Sequence, residues 1–224
     1  MAVGTRASEE IRKDITDQLS LDSRMSEADV EVEVMEDGSV RLSGAVPTYA
    51  ARRAAQEDAS SVDGVRSVDN RLYVERTEGI AGPSDEEVRD DVLGAIDTDE
   101  DLESTDVDAS VSDGWVTLRG SVDAYWKKLR AESLASTQVG VRGLTNEVAV
   151  VPSGTYEDRL IAESITSALE QDAQIEAGLI DVRVLGGRVT LSGSVPSLSA
   201  LQAAEATAQY TPGVIEVVNE LSIV

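Results

Sequence analysis

The sequence predicts an α+β fold made of three tandem αββαβ modules, each a three-stranded mixed sheet with two helices on one face. Three observations predict it. A glycine-bounded strand recurs three times, as Gly38 to Gly44, Gly114 to Gly120 and Gly187 to Gly193. An asparagine (Asn70, Asn146, Asn219) follows each at a constant offset of 26 residues. Around these landmarks the hydrophobic period passes from helical to strand-like in the same order every time. A chain that repeats at about 75 residues is an array of small units, not one large fold. The expected domains are residues 1–78, 79–152 and 153–224.

Each unit opens on an amphipathic helix. Ile11, Ile15 and Leu19 recur four apart, as do Val88, Val92 and Ile96, and Ile161, Ile165 and Leu169. Ser8 and Ser84 precede the first two runs as expected N-caps, with acids just inside. A first strand follows, in which Val30, Val32 and Val34, then Val107, Ala109 and Val111, then Ile180, Val182 and Val184 alternate with polar residues. The dipeptides Asp37-Gly38, Asp113-Gly114 and Gly186-Gly187 signal hairpins. The second strand carries Val40/Leu42, Val116/Leu118 and Val189/Leu191, and is expected to end at Gly44, Gly120 and Gly193.

An Ala-rich second helix comes next: Ala51, Ala55 and Ala59; Ala131 and Ala135; Ala200, Ala204 and Ala208. Small residues at this spacing let a helix lie close to a sheet. Gly64-Val65, Gly140-Val141 and Gly213-Val214 are expected to stop it. A last strand then alternates through the asparagine. Burying both helices on one sheet face is the simplest use of these patterns. Linkers are expected at Glu78 to Ser84 and around Pro152 to Gly154, short enough to keep the units close.

The pattern Asp-Gly-x-Val-x-Leu-x-Gly-x-Val-Pro (Asp37 to Pro47), an Ala-rich helix, then Gly-Val-x-x-Val-x-Asn-x-Leu (Gly64 to Leu72) resembles the BON domain family (bacterial OsmY and nodulation). Unit three is similar from Gly187 to Leu221. Unit two departs at Asp123, where the pattern has Pro, and at Leu144, where it has Val. The resemblance implies the αββαβ fold. It also implies noncatalytic, envelope- or stress-associated roles linked to phospholipid surfaces, osmotic shock or chaperone-like contact, and an export signal.

Composition narrows the chemistry. The net charge is −24, and the units carry 17 acids against 10 bases, 16 against 6 and 10 against 3. The whole surface is acidic, which repels nucleic-acid phosphates and speaks against a nucleic-acid partner. Only Lys13, Lys127 and Lys128 are lysines, and there is no Phe. Together these suggest adaptation to high salt, where the Debye length is roughly 3 Å and self-repulsion fades. With no Cys and no His, the commonest nucleophiles, general bases and metal ligands are missing, so neither an enzyme nor a cofactor is expected. No stretch approaches a membrane span, and the start has no apolar leader. As written the chain reads as cytoplasmic; a mature periplasmic protein lacking its leader reads the same.

Four features are candidate sites. Gly44, Gly120 and Gly193 admit close backbone packing, the usual reason for strand glycine, or approach of a ligand. Asn70, Asn146 and Asn219 share the inward parity of Val and Leu, so each must be hydrogen-bonded, to a neighbouring turn or to a ligand. Tyr125, Trp126, Lys127, Lys128 and Arg130 combine amphipathic aromatics with cations, suited to a lipid headgroup boundary or a protein partner. Tyr49, Arg52 and Arg53 occupy the equivalent place in unit one. A solvated basic turn offsetting nearby acids is the alternative. Finally, Asp97, Asp99, Asp101, Glu103 and Asp108 echo a calcium loop, but Leu102 replaces the required Gly and Asp108 the closing Glu, so no metal is expected. The functional expectation is an array that binds phospholipid surfaces or envelope proteins under osmotic or general stress. The alternative is a scaffolding or chaperone-like array acting only through protein contacts. Oligomeric state stays open.

Overall fold

The computed structural model describes residues 7–26, 28–75, 82–103, 105–172, 175 and 177–224. Three αββαβ modules are present. The first holds α1 (Ser8–Leu21), β1 (Asp29–Val34), β2 (Ser39–Val46), α2 (Tyr49–Ser61), β3 (Ser67–Asn70) and β4 (Tyr73–Val74). The second holds α3 (Asp85–Asp97), β5 (Asp106–Ser112), β6 (Trp115–Val122), α4 (Tyr125–Ser136), β7 (Gly143–Asn146) and β8 (Ala149–Val150). The third holds α5 (Asp158–Gln171), β9 (Ile180–Leu185), β10 (Arg188–Val195), α6 (Leu198–Gln209) and β11 (Glu216–Ile223). Most of the linker at 78–84 lies outside the described residues.

In every sheet the second strand is central. It pairs antiparallel with the hairpin strand before it and parallel with the strand after the helical crossover. The last strand is split in modules one and two and continuous in module three. Alternation then sorts the residues. Val40, Leu42 and Val46 of β2 are fully buried under the helices, with Ile11, Ile15 and Leu19 from α1 and Ala51, Ala55 and Ala59 from α2. Modules two and three repeat most of this core, with Lys127 in module two standing where module one has Ala51. Alanine at the contact is what lets the second helix seat flat against the sheet, so the cores are thin and closely packed.

The opposite sheet face is open and ion-paired. Arg41 bridges Glu33 (3.2 Å) and Asp69 (3.1 Å) across all three strands of the first sheet. Arg119 meets Glu147 at 2.8 Å in the second, and Arg188 meets Glu216 at 2.6 Å in the third. Such exposed pairs are worth about 0–1 kcal/mol each. Their consequence is a polar outer surface.

Three expectations need correction. Ser8 is not the cap of α1: Ala7 holds that position, and Ser8 Oγ donates to Met35 O at 3.4 Å. Ser84 does cap α3, in a full capping box with Glu87. The glycines Gly44, Gly120 and Gly193 do not end their strands, which run on for two residues to Val46, Val122 and Val195. And α2, α4 and α6 stop at Ser61, Ser136 and Gln209, before the glycines expected to stop them; Gly64, Gly140 and Gly213 turn the chain into the last strand with φ of +94°, +89° and +87°.

Candidate functional site

The crossover places the first residue of each second helix, Tyr49, Tyr125 and Leu198, at equivalent corners of the three modules. Local sequence fixes the start of two of these helices. Thr48 Oγ1 accepts from Ala51 N at 3.0 Å, and Ser197 Oγ accepts from Ala200 N at 3.1 Å. Ala124 offers α4 no side-chain cap.

The cations around these corners are mostly taken up. The Arg52 guanidinium lies 5.9 Å over the Tyr49 ring, and its Nη2 donates to Asn70 O at 3.4 Å. Arg53 Nη1 crosses to module two, donating to Ser136 Oγ at 3.3 Å and standing 4.0 Å from Glu132. Arg130 donates twice to Asp99 Oδ2, at 3.0 and 2.7 Å. That pair holds the Asp99 carboxyl below its usual range. Lys127 pairs with Asp123 at 2.8 Å and sits 5.7 Å from the Trp126 ring centroid. Tyr49 packs against the core of module two. Tyr125 is half-buried; burial first, then the carboxylates of Glu205, Glu132 and Glu216, raise its phenol pKa. The eight aromatic and basic residues are therefore not one patch. Tyr49 and Arg53 face module two, and the phenol of Tyr125 feels carboxylates of modules two and three. Trp126, Lys127 and Lys128 share the first turn of α4, each half-exposed.

The repeated asparagines tie the last strand to the second helix and also accept from the backbone N–H two residues on, as in an Asx turn. Asn70 Nδ2 donates to Arg52 O (2.9 Å) and Gln56 Oε1 (3.3 Å), while its Oδ1 accepts from Leu72 N (3.1 Å). Asn146 does the same with Lys128 O, Glu132 Oε2 and Val148 N. Asn219 meets Glu205 Oε2 and Leu221 N. The glycines permit close strand approach. Gly44 and Gly120 have φ of +115° and +118°, and a Cβ there would collide with the carbonyl oxygens of Asp29 and Asp106.

Sequence reasoning missed two acids that join elements. Asp85 Oδ2 and Oδ1 accept from Asp113 N (2.8 Å) and Gly114 N (2.9 Å), fastening the start of α3 to the β5–β6 turn. Asp158 does the same with Gly186 N and Gly187 N, and these donors hold its carboxyl below the usual range. The signal was an acid 29 residues before the turn glycine in both units. A third group, at the end of α2, is strained in charge. Asp22 is bound by Arg24 at 2.6 Å, while Asp58 faces Asp22 and keeps a buried Oδ2 with no hydrogen-bond partner among the described residues. Burial, then the Asp22 charge, raises the Asp58 pKa. Asp99 of the calcium-like run is engaged by Arg130 and by Asp101 N. Among the described residues no three His, Cys, Asp or Glu side chains are grouped to hold a metal ion. Among them, too, no helix is long and apolar enough to cross a membrane.

The sequence pattern of the BON domain matches residues 7–76, 84–152 and 157–224. The chain belongs to the BON domain family. Osmotically-inducible protein Y of Escherichia coli is 32% identical over 114 residues, covering 49% of this chain and 56% of that protein. Outer membrane lipoprotein DolP of Haemophilus influenzae is 35% identical over 89 residues, covering 38% and 46%. An uncharacterized protein of Anaplasma centrale is 30% identical over 114 residues, covering 49% and 76%. The BON array thus spans about half the length of the first two relatives it matches.

Proposed function

We propose that this BON array acts without catalysis, binding phospholipid surfaces or envelope proteins during osmotic or general stress, in a salt-rich setting. Three BON modules over nearly the whole chain carry the reading. The name of one relative, an outer membrane lipoprotein, favours the periplasmic alternative over the cytoplasmic reading, and that of another, osmotically inducible, favours the stress role. Modules of residues 1–78, 79–152 and 153–224 are the working units. The absence of His and Cys from the sequence supports a binding role.

The first turn of α4 is the contact we assign to a headgroup boundary. Trp126 supplies an amphipathic ring and Lys128 a cation, while Lys127 already answers Asp123. Co-sedimentation with anionic phospholipid vesicles at low and high salt tests it. Binding that persists in high salt and falls several-fold in Trp126→Ala/Lys128→Glu is the expected result. No binding at either salt overturns the lipid reading. One observation favours the second reading, scaffolding through protein contacts alone: Tyr49 and Arg53, equivalents of the same corner, are committed to another module.

A further inference from the structure

The repeated positions carry more than local structure. The helix-start residues are Tyr49, Tyr125 and Leu198. Tyr49 of module one packs on the core of module two. In module two the phenol of Tyr125 feels the charges of Glu205 and Glu216 of module three. Leu198 of module three packs on the core of module one, and α6 touches α2 directly. The direction is the same at each step, from first to second, second to third, and third back to first. Head-to-tail contacts of this kind close into a ring when the rotation per step allows it.

The receiving side repeats as well. Gln56, Glu132 and Glu205 hold equivalent places on the second helices, and each accepts a hydrogen bond from its own module's asparagine: Asn70 at 3.3 Å, Asn146 at 3.1 Å and Asn219 at 3.0 Å. Glu132 is also what Arg53 of module one reaches, at 4.0 Å. In module two the asparagine therefore holds the side chain that Arg53 of module one reaches.

We infer that the three modules close into a ring, module one meeting module two through Tyr49 and Arg53 and module three closing back onto module one through Leu198 and α6. The partner of each surface is another copy of the same module. The third junction, Leu198 on module one, is the decisive one, because no linker enforces it. Without it the chain is a string of three beads. With it, α2, α4 and α6 are turned inward and the ion-paired sheet faces outward.

Two measurements on the full chain test this. Small-angle scattering on the unmodified protein reports its dimensions: a compact chain of this length has a radius of gyration of about 17 Å, and a value several ångströms larger overturns the ring. Hydrogen exchange on Leu198→Ser then reads the closing junction from the far side. The substitution is in module three, yet amide exchange in β2 and α2 of module one should accelerate by about tenfold or more, the equivalent of roughly 1.4 kcal/mol. Unchanged exchange there, with acceleration confined to module three, overturns the ring. If the variant does not fold, scattering on the unmodified chain decides.

Discussion

At the residue scale, three side-chain types do the structural work that the repeat implies. Gly120 sits in the interior of β6 with φ of +118°, and any Cβ would meet the Asp106 carbonyl. Gly120→Ala should therefore cost about 1–3 kcal/mol, read as a lower urea midpoint. Asn146 satisfies the α4 backbone, Glu132 and Val148 N together. Asn146→Ala leaves these partners unmatched and should cost about 1–3 kcal/mol in the same assay. Asp58 behaves oppositely. Its folded pKa is raised above the ordinary 3.8, so its favourable contribution is complete below that value and is lost as pH rises through the higher folded value. Above that folded value it is a half-buried carboxylate facing Asp22. Asp58→Asn should raise the melting midpoint at pH 7 and lose that advantage below pH 3.8; a variant less stable at pH 7 would contradict this account. The glycine and asparagine positions were legible because the repeat exposes them. Asp58 was not, since nothing in a helix pattern reveals that an acid 36 residues away will share its environment.

At the scale of elements, hydrophobic periodicity was enough to place the six α-helices and the hairpin strands in order, though not the split of the last strand in modules one and two. Ile11, Ile15 and Leu19 are buried as their spacing requires, and so are Ala200, Ala204 and Ala208. What periodicity could not show was how elements are fastened. Asp158 joins the N-terminus of α5 to the turn before β10 through two N–H donors. Its pKa is lowered from 3.8, so this fastening is present above that value and is lost as pH falls through the lower folded value. Asp158→Asn should lower the stability of module three at neutral pH and flatten its acid unfolding below pH 3.8, as followed by circular dichroism. The Arg130–Asp99 pair is of the same kind: 31 residues separate partners that only the α3–α4 packing brings within 2.7 Å. The helix and strand limits also shifted where backbone geometry, not composition, decides. Gly44 reads as a terminator, yet a positive φ can be absorbed inside a ladder when the neighbouring strand passes close by.

At the scale of the whole molecule, the net charge of −24 spread over three modules sets the response to salt. The Debye length shrinks from about 10 Å at 0.1 M to about 3 Å at 1 M, which screens repulsion between modules. The melting temperature should rise with KCl well beyond the change seen for a protein of low charge, and equal melting in dilute buffer and molar KCl would refute salt adaptation. The sequence by itself determined the module, its threefold repetition, the two layers of each core and the acidic surface. These follow from local periodicity and composition, which are properties of residues near one another along the chain. The arrangement of the modules was decided only by tertiary structure. Tyr125 and Leu198 look alike as helix starts whether they face solvent or another unit, because packing between modules depends on relative orientation, and one-dimensional spacing carries no record of that.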